Sequence, residues 1–75
     1  MTIDKLIGQN MRAFRKQKGL TTENLASATF KYASEISLIE RGKRATHTGD
    51  LVMIAKVLGR GIEEFIIDNT GEVKK

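Results

Sequence analysis

Apolar positions recur at helical spacing along nearly the whole chain. Ile3, Ile7, Met11 and Phe14 share one face of a first helix, with Lys5, Arg12, Lys16 and Lys18 mostly on the others. Gly19 ends it. Thr21 or Thr22 can cap a second helix that carries Leu25, Ala26 and Ala28. A break falls at Phe30-Lys31-Tyr32, and a third helix is expected over about 33–41. Thr46, His47 and Thr48 offer capping groups for a fourth, striped by Leu51, Ile54, Ala55 and Leu58 and ended by Gly59 and Gly61. A short fifth helix is expected to place Ile62, Phe65 and Ile66 on one side. Asp68-Asn69-Thr70-Gly71 interrupts it, and 69–75 is expected to be a frayed tail. The pattern predicts an all-α chain of five helical segments in one domain spanning 1–75.

The densest information lies in Ile36-Ser37-Leu38-Ile39-Glu40-Arg41-Gly42-Lys43-Arg44. Ile36 and Ile39 lie on one helical face. Glu40 borders that face, where a carboxylate is costly to bury without a partner. Gly42 supplies the positive φ that ends many helices. Lys43 and Arg44 then place charge where the chain turns outward. A short helix backed by a basic loop suits a polyanion, and DNA is the obvious candidate.

Composition removes alternatives. Among 75 residues there is no cysteine, tryptophan or proline, and one histidine, His47. A disulfide framework and a thiolate metal site are therefore excluded, and no metal or cofactor is expected. His47 reads as a capping or loop residue. No constellation of acids, bases or ligands supports an enzyme. The chain has neither an apolar run for a signal peptide nor a membrane span, so a cytoplasmic location is expected.

The net charge of +4 comes in blocks. Residues 1–20 hold five cations and one anion, and 41–60 hold the same; 21–40 hold one cation and three anions, and 61–75 two and four. An anion-binding face would draw on the first and third blocks.

Two short helices separated by a tight turn, the second followed by a basic loop, form a helix-turn-helix pattern. The chain resembles the Cro/phage-repressor (XRE-type) helix-turn-helix domains from about Ile7 to Phe65. Five blocks carry the resemblance in order. They are Ile7-Gly8-Gln9-Asn10-Met11-Arg12, Phe14-Arg15-Lys16-Gln17-Lys18-Gly19-Leu20-Thr21, Leu25-Ala26, the segment from Ile36 to Arg44, and Leu51-Val52-Met53-Ile54-Ala55-Lys56-Val57-Leu58-Gly59.

The resemblance implies a compact five-helix bundle, a lambda-repressor-like domain with the second and third helices, about 22–41, as the reading unit. It implies an ion pair between Arg15 and Glu40, whose breaking would cost about 3–5 kcal/mol. It places Ala33, Ser34, Glu35, Ser37 and Leu38 against base edges in the major groove. None of these is the Arg, Asn or Gln that makes bidentate base contacts. Phosphate contacts are expected from Thr22, at the favourable end of a helix dipole, and from Lys31, Tyr32, Lys43 and Arg44. Arg12 and Lys16 read as helix surface.

The chain departs from the family at Phe30, where glycine is usual. A bulky residue disfavours positive φ, so a remodelled turn or a longer second helix is expected. Lys31 stands where an apolar residue normally plugs the core, and Thr46-His47-Thr48-Gly49 replaces a Pro-Ser entry to the fourth helix. Ile62, Phe65, Ile66 and Ile67 are more apolar surface than so small a domain easily buries alone: either all pack onto the first and fourth helices, or some of them form a homodimer interface. The expected function is a dimeric transcriptional regulator acting on palindromic double-stranded DNA, a repressor in the simplest scheme of promoter occlusion. An activator would need a surface facing RNA polymerase, for which Glu63, Glu64 and Asp68 are candidates. A protein-interaction module or antitoxin, with a toxin as partner, is the alternative on the same fold.

Overall fold

The computed structural model describes residues 2–68. Four α-helices, α1 (Ile3–Gln17), α2 (Thr22–Ala28), α3 (Ala33–Glu40) and α4 (Thr48–Leu58), precede a 3-10 turn, Ile62–Ile66. The expected fifth helix is thus this five-residue 3-10 turn. The expected frayed tail, 69–75, lies outside the described residues.

Local sequence sets the helix starts. The Thr2 hydroxyl accepts from the Lys5 amide at 3.2 Å. Thr21 and Asn24 form a reciprocal box: the Asn24 amide donates to Thr21 Oγ1 at 2.9 Å and the Thr21 amide to Asn24 Oδ1 at 3.0 Å. At α4 the start is His47, which contributes no side-chain cap bond.

Met11, Phe14, Leu25, Ala26, Ile36, Ile39, Leu51, Ile54, Ala55, Leu58 and Phe65 form the buried core. The stripes on α1 and α4 therefore face inward together. Ile3 is the exception at 55% exposure, because it lies on the first turn of α1, beyond the bundle. α1 packs on α3 and on the 3-10 turn, and α2 packs on α3.

Aromatic packing and a buried amide seat the 3-10 turn. Phe65 is fully buried and meets Phe14 edge-on, with ring centroids 5.1 Å apart. Arg60 covers the Phe14 ring, its guanidinium carbon 4.3 Å from the centroid. The buried Asn10 amide donates to the carbonyls of Phe65 at 2.7 Å and Ile67 at 2.8 Å. An apolar residue there would leave these carbonyls without that donor.

The turn between α2 and α3 keeps its tight form, and Phe30 enters it at φ 59°. The expected remodelled turn or longer second helix does not occur: α2 stops at Ala28. The Lys31 amide donates to the Ala26 carbonyl at 2.9 Å, and Thr29 Oγ1 to the Leu25 carbonyl at 2.8 Å. Gly19 and Gly42 close α1 and α3 with the same pattern, at φ 73° and 70°. Left-handed backbone costs a residue with a Cβ about 1–2 kcal/mol. Phe30 is 89% exposed, so its ring recovers little of that by burial. Glycine would lose about 0.5–1 kcal/mol through its freer unfolded chain. Phe30→Gly is therefore expected to stabilise the protein by about 0.5–1 kcal/mol, a rise of roughly 2–8 °C in a thermal melt. An unchanged or lower Tm would show that the ring stabilises the fold.

Candidate nucleic-acid interface

The position of α3 is fixed at both ends. At its C-terminal end Arg15 Nε donates to Glu40 Oε2 at 2.6 Å and Arg15 Nη2 to Glu40 Oε1 at 3.0 Å. The two side chains are only 10% and 5% exposed. Arg15 Nη1 also donates to the Leu20 carbonyl at 2.8 Å, tying the α1–α2 loop to the same point. The short charge-assisted bonds hold the Arg15 guanidinium above its ordinary pKa: the hydrogen bond to Glu40 is the main cause, opposed by burial.

At the N-terminal end of α3 the charges are tied down. Glu35 Oε1 accepts from the Tyr32 amide at 3.1 Å, while Oε2 lies 3.7 Å from Lys31 Nζ and 3.6 Å from Arg44. The Lys31 ammonium reaches 2.9 Å from Asp50 Oδ2, at the start of α4. The backbone bond from Tyr32, helped by Lys31 and Arg44, holds the Glu35 carboxyl below the usual carboxylate range. A capping carboxylate with cationic neighbours stays ionised and points back at its own helix. Its spare capacity to accept from a cytosine amine is correspondingly small.

The residues expected at base edges thus divide. Ser34 is exposed, Ser37 and Leu38 are half-buried, Ala33 leans on the core, and Glu35 is engaged as a cap. Among the residues expected at phosphates, Tyr32 and Lys43 are exposed. Thr22 is half-buried and donates to Glu23 Oε1 at 3.2 Å. Lys31 keeps only 15% of its side chain exposed, and its ammonium serves as the polar plug between the turn and α4. Arg44 reaches towards Glu35 while half-exposed. One residue of this site has no local signal: Asp50, which holds Lys31 from 19 positions away.

Residues 11–65 match the family model for the helix-turn-helix. The chain belongs to the helix-turn-helix family. An uncharacterized helix-turn-helix-type transcriptional regulator, y4dJ, from Sinorhizobium fredii is 34% identical over 59 residues, covering 79% of this chain and 77% of the relative. The clp gene regulator ClgR of Corynebacterium glutamicum superposes with a TM-score of 0.88 at 27% identity, over 95% of this chain and 76% of ClgR. The restriction-modification controller protein C.AhdI of Aeromonas hydrophila gives 0.78 at 29% identity, over 83% of this chain and 94% of that one.

Within this helix-turn-helix protein, α2 and α3 are two short helices joined by the tight turn at Phe30. The outer side of α3 carries a short polar and aliphatic set, Ser34, Ser37 and Leu38, on a helix whose two ends are anchored by ion pairs. No described helix is long and apolar enough to cross a membrane.

Among the residues expected at a dimer interface, Phe65 has to be reassigned. It is fully buried against Phe14 and belongs to the core. Ile62, Ile66 and Ile67 stay outside, at 37%, 53% and 52% exposure.

Proposed function

We propose that this helix-turn-helix regulator binds palindromic duplex DNA as a homodimer and represses transcription by occluding a promoter in the cytoplasm. The observation that carries this reading is the seating of α3 by ion pairs at both ends, with Ser34 exposed and Ser37 and Leu38 half-exposed on its outer side. Such a helix suits the major groove, where Leu38 meets thymine methyls and the serines accept or donate. Two copies related by a two-fold axis would present two reading helices about 34 Å apart. Exposed Ile62, Ile66 and Ile67 are the apolar surface available for that axis. C.AhdI, a restriction-modification controller, offers a parallel for a regulator of this size, and gives the repressor reading its nearest rival within DNA binding.

A random-sequence duplex and a pool of selected sequences, titrated at two salt concentrations, test the reading. Salt-dependent binding to both, tighter for the selected pool, is expected. Ser34 and Leu38 substitutions should change the preferred sequence, whereas Lys43→Ala should weaken all sequences alike. Absence of salt-dependent binding to either duplex removes the DNA reading. It would leave the interaction-module or antitoxin alternative, which Phe30 favours as an 89% exposed ring on a strained turn.

Dimerisation has its own check. Ile66→Glu is expected to give a folded monomer in sedimentation, since Ile66 is exposed. A dimer that survives this change places the interface elsewhere.

A further inference from the structure

Apart from Lys43, the cations of this face that are free to meet a polyanion are not the ones expected from the sequence. A groove of about 610 Å³ runs between α1 and the end of α3, lined by Lys5, Gln9, Arg12, Ala13, Lys16, Glu40 and Arg41. Its α1 side is a single stripe, since 5, 9, 12 and 16 repeat at helical spacing. From Lys5 to Lys16 the stripe extends about 16 Å along the helix axis.

Four of the lining residues, Lys5, Arg12, Lys16 and Arg41, are exposed cations, and among the described residues none is in an ion pair. The one carboxylate, Glu40, is already neutralised by two bonds from Arg15. The groove therefore presents an uncompensated charge of about four, in contrast to Lys31 and Arg44, which sit beside carboxylates.

The groove also leads to the reading unit. A smaller hollow of about 300 Å³ shares Arg12, Glu40 and Arg41 with it and continues to Thr22, at the start of α2, and Ser37, on α3. Because the larger groove is lined along one helix by separated cations, it suits a strand of phosphates.

We propose that Arg12, Lys16 and Arg41 form a second phosphate-binding face that grips the backbone of the same duplex beside the α2–α3 reading unit. This rests on the DNA-binding reading above. The face supplies affinity that is independent of sequence, which matters for a protein whose base-facing residues are few and weakly discriminating. Lys5, at the other end of the stripe from Lys16, extends the same field.

The test uses the full chain carrying Arg12→Gln, Lys16→Gln and Arg41→Gln together, with Lys31→Gln as the comparison. Affinity for a random and a selected duplex is measured across a series of NaCl concentrations, with circular dichroism confirming the fold. Each lost phosphate contact should make the slope of log K against log[NaCl] shallower by about 0.9, so the triple variant should lose about 2.7. The selected-to-random ratio should stay constant. Lys31→Gln should leave the slope unchanged, because its ammonium is held by Asp50.

A wild-type slope in the folded triple variant overturns the proposal while leaving DNA binding intact. Loss of the selected-to-random ratio also overturns it, by making these residues readers of sequence. Wild-type protein that binds neither duplex removes both readings together. Inorganic tripolyphosphate is titrated separately: saturable micromolar binding that the triple variant loses, with an unchanged DNA slope, would reassign the groove to a small polyanion.

Discussion

Arg15→Ala is expected to destabilise the protein by about 3–5 kcal/mol, the usual cost of removing one partner from a buried pair. The guanidinium bonds Glu40 through Nε and Nη2 and the Leu20 carbonyl through Nη1, so one side chain joins α1, the end of α3 and the α1–α2 loop. Its removal strands a carboxylate whose side chain is only 5% exposed, together with a carbonyl that loses its donor. For a domain of this size the loss corresponds to a fall in Tm of more than about 12 °C. The reverse deletion, Glu40→Ala, strands the guanidinium instead. Replacing both residues by leucine should cost less than either single change, since no uncompensated charge then remains buried. Thermal and denaturant melts of the three variants decide the matter. A loss below about 1 kcal/mol for Arg15→Ala would mean that the pair behaves as a surface salt bridge. In duplex titrations, the selected-to-random ratio of folded Arg15→Ala should stay at the wild-type value, because Arg15 supports α3 without facing bases.

How much of the fold and the site is legible in the sequence depends on the range of the interaction. The α4 stripe of Leu51, Ile54, Ala55 and Leu58 is buried as its 3.6-residue period demands, because helical burial is a local pattern read on one face. Ile3 obeys the same period yet stays exposed, since periodicity reports a face and not where the bundle ends. The last apolar run has the spacing of a helix, but five residues seated by the Phe14–Phe65 contact and the Asn10 amide form a 3-10 turn. Nothing local marks Asn10 for that role. A buried amide in an amphipathic helix is explained only by carbonyls that arrive more than 50 residues later.

Phe30 and Lys31 show the limit of reasoning from single residues. A phenylalanine disfavours positive φ by about 1–2 kcal/mol, yet tertiary constraints outweigh that preference. The Lys31–Ala26 bond and the Lys31–Asp50 pair pin the turn from both sides. Charge alone points Lys31 and Arg44 at phosphates. In the fold Lys31 meets Asp50, and both cations lie beside Glu35. Arg12 and Lys16, which read as plain helix surface, instead line the groove that Arg41 closes from α3. Net charge by segment locates the basic blocks, but only the packing of α1 against α3 decides which cations are left without carboxylates.

The packing of α1 against α3 also sets the second large effect, Gly8→Ala. Helix propensity alone favours the substitution by about 1 kcal/mol. The neighbourhood of Gly8 reverses the sign. A Cβ there would fall on the Ile39 carbonyl oxygen, and 2.8 Å from the Glu40 carbonyl oxygen. These are backbone atoms at the last turn of α3, so no side-chain rotation relieves the overlap. α3 would have to move away from α1, and that movement would pull Glu40 from Arg15 and shift Gly42, whose own Cβ position is occupied by Lys5. Overpacking typically costs about 1–3 kcal/mol, and a backbone obstacle places this case at the upper end, about 3 kcal/mol. The expected fall in Tm is roughly 12–24 °C. Gly49→Ala supplies the internal contrast. Gly49 lies in α4, where a Cβ would meet no atom within 4 Å, so the same substitution should there gain up to about 1 kcal/mol. Two melts against wild type therefore separate propensity from packing. Opposite signs are expected, and a Gly8→Ala protein as stable as wild type would mean that α1 and α3 do not approach this closely in solution.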